Sequence, residues 1–214
     1  MKKLFFVGVA LTACLSAQAQ IVSSSSRSVI TQTVKHNDVI YVKAGVSLNN
    51  YVGKDANQMG STPGEDVIVG FQKSFSSLSG LYWGLEGGIG TRGAKVSDNK
   101  ESLSVLAHNL KITPIMLGYK FDIVDALTFD VHAGFGASCD LLAFAKAQIE
   151  DYSETRNLYE LGSFQRFDIY AAPGITLWYK KIGLDFTYQA GFLKVAKDAQ
   201  ATSSNFLIRL AFRF

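Results

Sequence analysis

His132 stands two residues after Asp130 and six before Ser138. A serine, a histidine and an acid are the parts of a hydrolytic relay, and lipid-cleaving barrel enzymes use such a set at a membrane face. In an extended strand, however, these three share one parity. Six residues at roughly 3.3 Å each put Ser138 about 20 Å from His132. That spacing favours separate hydrogen bonds over one relay. Gly84, Gly87, Gly88 and Gly90 crowd together as in a phosphate-cradling loop, yet they lie inside an alternating stretch and open no helix. They read as clearance for neighbouring side chains. His108 and His36 have no visible partner in the sequence, and no cofactor or metal motif is present. The remaining candidates are Lys43, Glu86, Asp130, His132, Asp168, Asp185, Arg209 and Arg213, all on the polar parity of alternating segments. Acids and bases so placed either pair across strands as a structural network or line a proton or ion path.

The elements that position them are strands. In the last nine residues Phe206, Ile208, Leu210, Phe212 and Phe214 share one parity, and Leu207, Arg209, Ala211 and Arg213 the other. Seven earlier segments repeat this two-residue period, beginning near Ile40, Val67, Leu81, Leu110, Leu127, Phe167 and Ile182. The fourth segment changes phase at Thr113-Pro114. One extra residue there restores the facing, so a bulge is expected. Pro173 demands local irregularity without a phase change.

Segments of about 9–12 residues suit tilted, bilayer-spanning strands. The expected connections are 49–66, 74–80, 93–109, 122–126, 142–166, 180–181 and 194–205, alternately long and short. Outer-membrane barrels place long loops on one side and tight turns on the other. The longest, 142–166, mixes charges with spaced apolar residues and suggests a surface helix or a binding tip. The polar parity is glycine-rich, which suits a packed interior better than a soluble surface, so the apolar parity is expected to face lipid. Trp83, Phe71, Phe121, Phe129, Tyr119, Tyr179, Phe212 and Phe214 would form one aromatic girdle, and Phe167, Phe192 and Phe206 the other.

The opening residues fit export. Lys2 and Lys3 precede an apolar run too short to span a bilayer, and Ala17-Gln18-Ala19 is a small-residue cleavage site. The expected organisation is a signal peptide at 1–19, a polar periplasmic tail at 20–38 and a barrel at 39–214. A second reading cleaves before Cys14 and lipidates it. Removing Lys2 and Lys3 lowers the formal charge from +3 to +1, which gives nucleic acid nothing to bind. Cleavage after residue 19 leaves Cys139 with no intramolecular partner.

The stretch from Lys111 through Pro114 to Phe121, the strand Gly183 to Tyr188 and the terminal strand Phe206 to Phe214 resemble the small bacterial outer-membrane β-barrel domain family, with its OmpA/OmpX-like and PorT-like barrels. The resemblance covers most of 39–214. It implies insertion by the barrel assembly machinery, with Phe212 and Phe214 as the signal it reads.

The reading is therefore an all-β, eight-stranded, antiparallel, up-and-down transmembrane β-barrel, monomeric, in the outer membrane of a Gram-negative bacterium with both termini periplasmic. Its expected role is structural or surface-interacting, through extracellular loops that meet a ligand or protein. No enzyme activity is expected. The alternatives are a lipid-modifying enzyme, a narrow pore and a secretion accessory barrel.

Overall fold

The computed structural model describes residues 38–75, 80–98, 101–149, 152–160, 162 and 164–214. The expected signal peptide and all of the expected tail but Asp38 lie outside the described residues.

Among the described residues nine strands follow one another: β1 (Val39–Gly53), β2 (Thr62–Ser74), β3 (Leu81–Asp98), β4 (Glu101–Val124), β5 (Leu127–Ile149), β6 (Tyr152–Asn157), β7 (Phe167–Tyr179), β8 (Ile182–Lys194) and β9 (Ala201–Arg213). Among the described residues the one helical element is a 3-10 turn at Lys54–Ala56. All pairings are antiparallel. Consecutive strands from β1 to β5 pair with their neighbours, β5 pairs with β7, and β7, β8, β9 and β1 complete a ring. Eight strands thus close on themselves and leave no open edge in the ring. The ninth, β6, pairs with β5 alone: Leu127 to Cys139 carry β7, and Phe144 to Ile149 carry β6.

Alternation sorts the two faces. On β1, Tyr41, Lys43, Ser47 and Asn49 are buried while Ile40, Val46 and Leu48 are exposed. On β9, Leu207, Arg209 and Ala211 are buried while Phe206, Leu210 and Phe212 are exposed. The ring therefore turns its charges inward and its hydrocarbon outward. At the end carrying the C-terminus and the short turns, Phe71 stacks edge-on to Trp83, Phe121 contacts Tyr119 and Phe129, and Phe212 meets Phe214.

The expected bulge in β4 is present. Pro114 and Ile115 both face outward, and the β5 register shifts between Ile112 and Ile115. A second bulge, not read from the sequence, turns both Leu141 and Leu142 outward and shifts the register opposite His108 and Asn109. Pro173 leaves the register unchanged; the β8 pairing skips it together with Ala172.

The long connections differ from expectation. Stretch 93–109 is the paired upper half of β3 and β4, and 142–166 contains the end of β5 and all of β6 in place of a helix. The stretches left between these strands are 54–61, 99–100, 150–151, 158–166 and 195–200. In these upper halves the outward residues turn polar, as in Lys95, Ser97, Ser104 and Lys146, so the outward apolar parity of the lower strands does not continue there.

Candidate functional site: the buried charge network

The inward faces of the ring strands converge on Asp185. Its carboxylate accepts from Lys43 Nζ at 2.7 Å, Thr176 Oγ1 at 2.7 Å and Thr187 Oγ1 at 3.0 Å. Arg209, its direct partner across β8 and β9, donates from Nε at 2.9 Å and Nη2 at 2.7 Å. Such a fork onto a carboxylate combines charge with fixed geometry. The third nitrogen of Arg209 reaches Asp66 Oδ1 at 2.7 Å, and Asp66 also takes Lys111. Lys43 lies 3.1 Å from Glu86, which accepts from the Tyr41 hydroxyl at 2.7 Å.

His132 lies between two acids, its Nε2 3.7 Å from Asp185 and its Nδ1 3.9 Å from Asp130. Asp130 accepts from the Tyr82 hydroxyl at 2.6 Å and from Trp178 Nε1 at 3.3 Å. Asp168 belongs to a separate group nearer the hairpin end. It takes Ser203 and the amide of Leu193, and lies 3.7 Å from Arg92, whose Nε and Nη2 bind Asp140 at 2.9 and 2.6 Å. Arg213 sits half-buried at the ring mouth, over the Trp178 ring at 5.0 Å and donating to the Lys180 carbonyl. Ser138, His132 and Asp130 are all buried inside the ring. His108, without a visible partner in the sequence, is 3.6 Å from Glu65 on the outer surface.

Asp66, Arg92, Lys111, Lys120 and Asp140 were not among the residues singled out from the sequence. Lys111 and Lys120 carried a usable signal, since each stands between two outward apolar residues. Asp66, Arg92 and Asp140 fell at the edges of segments that prove to be longer. Among the described residues, the buried bases Lys43, Arg92, Lys111, Lys120 and Arg209 face the buried acids Asp66, Glu86, Asp130, Asp140, Asp168 and Asp185. The signs nearly balance, as the interior of a closed ring requires, because an unpaired charge there costs several kcal/mol.

Glycines shape the space between these groups. Tyr41, Tyr82 and Tyr170 lie directly opposite Gly70, Gly118 and Gly136 on neighbouring strands, and a Cβ at any of the three would overlap the facing ring. Gly90 clears the crossing from Asp66 on β2 to Lys111 on β4. Among these groups lies a void of about 20 Å³ bounded by Glu86, Lys111, Tyr170, Gln189 and Arg209. That is room for roughly one water.

Apolar clusters flank the network. Near the short turns, Tyr41, Tyr82, Met116, Trp178 and Ala211 pack together with Val39. Near the hairpins, Tyr51, Ala56, Ala94, Val195 and Ala201 pack with Met59, Val105 and Phe164. In the turn that supplies Phe164, burial and then the Asp140 charge hold the Tyr159 hydroxyl above its ordinary pKa, so it stays neutral.

These features define a class: a closed antiparallel ring with ion pairs within and hydrocarbon without. No protein-family model and no curated protein matches the chain. Among solved structures it is similar to Neisserial surface protein A, at 12% identity over 82% of this chain and 97% of that one, with a TM-score of 0.45. It is also similar to Ail, the attachment invasion locus protein of Yersinia pestis, crystallised with the heparin analogue sucrose octasulfate, at 11% identity over 83% and 99% with a TM-score of 0.43. A de novo designed transmembrane β-barrel shares 15% identity over 82% and 95%, with a TM-score of 0.34.

Proposed function

We propose that the protein is an integral, monomeric outer-membrane barrel of a Gram-negative bacterium, with both termini periplasmic and the long hairpins outside. It is a non-enzymatic scaffold whose plugged interior rigidifies the ring and whose hairpins meet partners at the cell surface. One observation carries the reading: Leu210, Ile115, Ile112, Val46 and Phe167 are exposed by half or more of their surface, while Lys43, Asp66, Asp185 and Arg209 are buried at 3% or less. In water this inversion forfeits about 25 cal/mol per Å² of exposed apolar area, and in a bilayer that loss disappears. A β-structure in lipid must also close, since an open edge leaves backbone groups unsatisfied, and this ring does. Phe212 and Phe214 end the closing strand in the position of an assembly signal.

The lipid-modifying alternative needs Ser138 and His132 at the lipid face, and both are buried on the inner one. The test is refolding into phosphatidylcholine vesicles followed by electrophoresis with and without boiling. The expected outcome is a faster band before boiling, from a ring that detergent alone does not open. Recovery of the exported protein in the soluble periplasmic fraction would overturn the reading.

A further inference from the structure

Above the ring, the upper halves of β3, β4 and β5 form a four-stranded wall with β6, and its outer face is ordered in rows by the register. Lys95 pairs with Ser104, Ser104 with Lys146, and Lys146 with Thr155. One step nearer the ring, Leu106 pairs with Phe144, and one step further down His108 pairs with Leu142. Both lysines are exposed, as are Leu141, Leu142 and Phe144.

The height of the apolar exterior differs around the ring. On β2 the outward face turns polar at Glu65, on β8 at Lys194 and on β9 at Ser204. On β5 it continues past Cys139 through Leu141, Leu142 and Phe144 before reaching Lys146. Along this wall a hydrocarbon strip rises to a line of two ammonium groups with hydroxyls beside and between them. The lysines stand on strands two places apart, roughly 10 Å at the usual spacing, within reach of one headgroup.

We propose that the outer face of this wall seats a phosphorylated, multiply acylated lipid of the surrounding leaflet, its acyl chains on Leu106, Leu142 and Phe144 and its phosphate oxygens on Lys95 and Lys146. A soluble protein ligand would not explain why the apolar strip is continuous with the lipid-facing belt below it. A free phosphate would not use the strip at all. The inference rests on the outer-membrane reading.

The experiment is native mass spectrometry of the full chain released from mixed micelles containing bisphosphorylated lipid A, its dephosphorylated counterpart and phosphatidylethanolamine. The expected result is preferential retention of the bisphosphorylated lipid, reduced about thirtyfold in the Lys95→Ala/Lys146→Ala double variant, as two juxtamembrane lysines imply. Retention is unchanged in Lys73→Ala, at the opposite end of the barrel, and reduced in Phe144→Ser with both lysines present. Lys95→Gln/Lys146→Gln serves if the alanine variant does not fold. Equal retention by wild type and double variant, equal retention of the dephosphorylated lipid, or full displacement by inorganic phosphate would each overturn the site. A heat-modifiable band from every variant shows that the barrel itself stands, so failure of the lipid site is distinguishable from failure of the membrane reading.

Discussion

Asp185 takes donors from four residues on four strands, Lys43, Thr176, Thr187 and Arg209. It ties β1, β7, β8 and β9 through one carboxylate. Replacing it with alanine leaves Lys43 and Arg209 buried and short of an acceptor, so Asp185→Ala is expected to lose about 3–5 kcal/mol in urea unfolding from vesicles. Removing the charges together is milder, because Lys43 keeps Glu86 and Asp66 keeps Lys111, and only the neutral hydroxyls of Thr176 and Thr187 lose their partners. Asp185→Leu with Arg209→Met should recover most of the loss, and an unchanged midpoint in Asp185→Ala would refute the hub assignment. At this scale much was legible: Lys43, Glu86, Asp130, His132, Asp185 and Arg209 share the polar parity, and the structure brings them into contact. Parity cannot name partners. That Arg209 divides its nitrogens between Asp185 and Asp66 depends on β1 lying between β9 and β2, a neighbourhood set by ring closure.

Strands β4 and β5, at 24 and 23 residues, are about twice the length of a bilayer crossing. Their lower halves carry outward apolar alternation, shifted by one residue at Pro114 in β4, and their upper halves do not. The lower exterior should therefore respond to charge as a lipid face does. Leu210, 66% exposed on β9, is the sensitive position. Leu210→Arg is expected to cost about 2–4 kcal/mol if it lies near the bilayer midplane. The measurement is the folded fraction in vesicles across a urea series. A neutral result, normal for an exposed leucine in water, would place this surface outside lipid. The bulge at Pro114 was readable because proline and a phase change coincide. The bulge at Leu141 was not, since nothing in the run from Ser138 to Leu142 marks where the extra residue falls.

At the scale of the molecule, the polar interior lies between the cluster around Trp178 and Met116 and the cluster around Tyr51 and Val195. Eight strands leave an interior that side chains fill. Planar-bilayer recordings of the refolded protein are therefore expected to show no single-channel steps, and steady unitary conductance would contradict a plugged ring. The sequence by itself determined the period of the strands, the sorting of charge from hydrocarbon and the site of one bulge, because these are local properties of alternating side chains. The tertiary structure alone decided the rest. It made long connections into paired hairpins, placed β6 beside β5 above β7, brought Asp66 and Arg92 inside and stacked tyrosines on glycines of neighbouring strands. Each of these depends on the register between paired strands, which alternation within one strand does not specify.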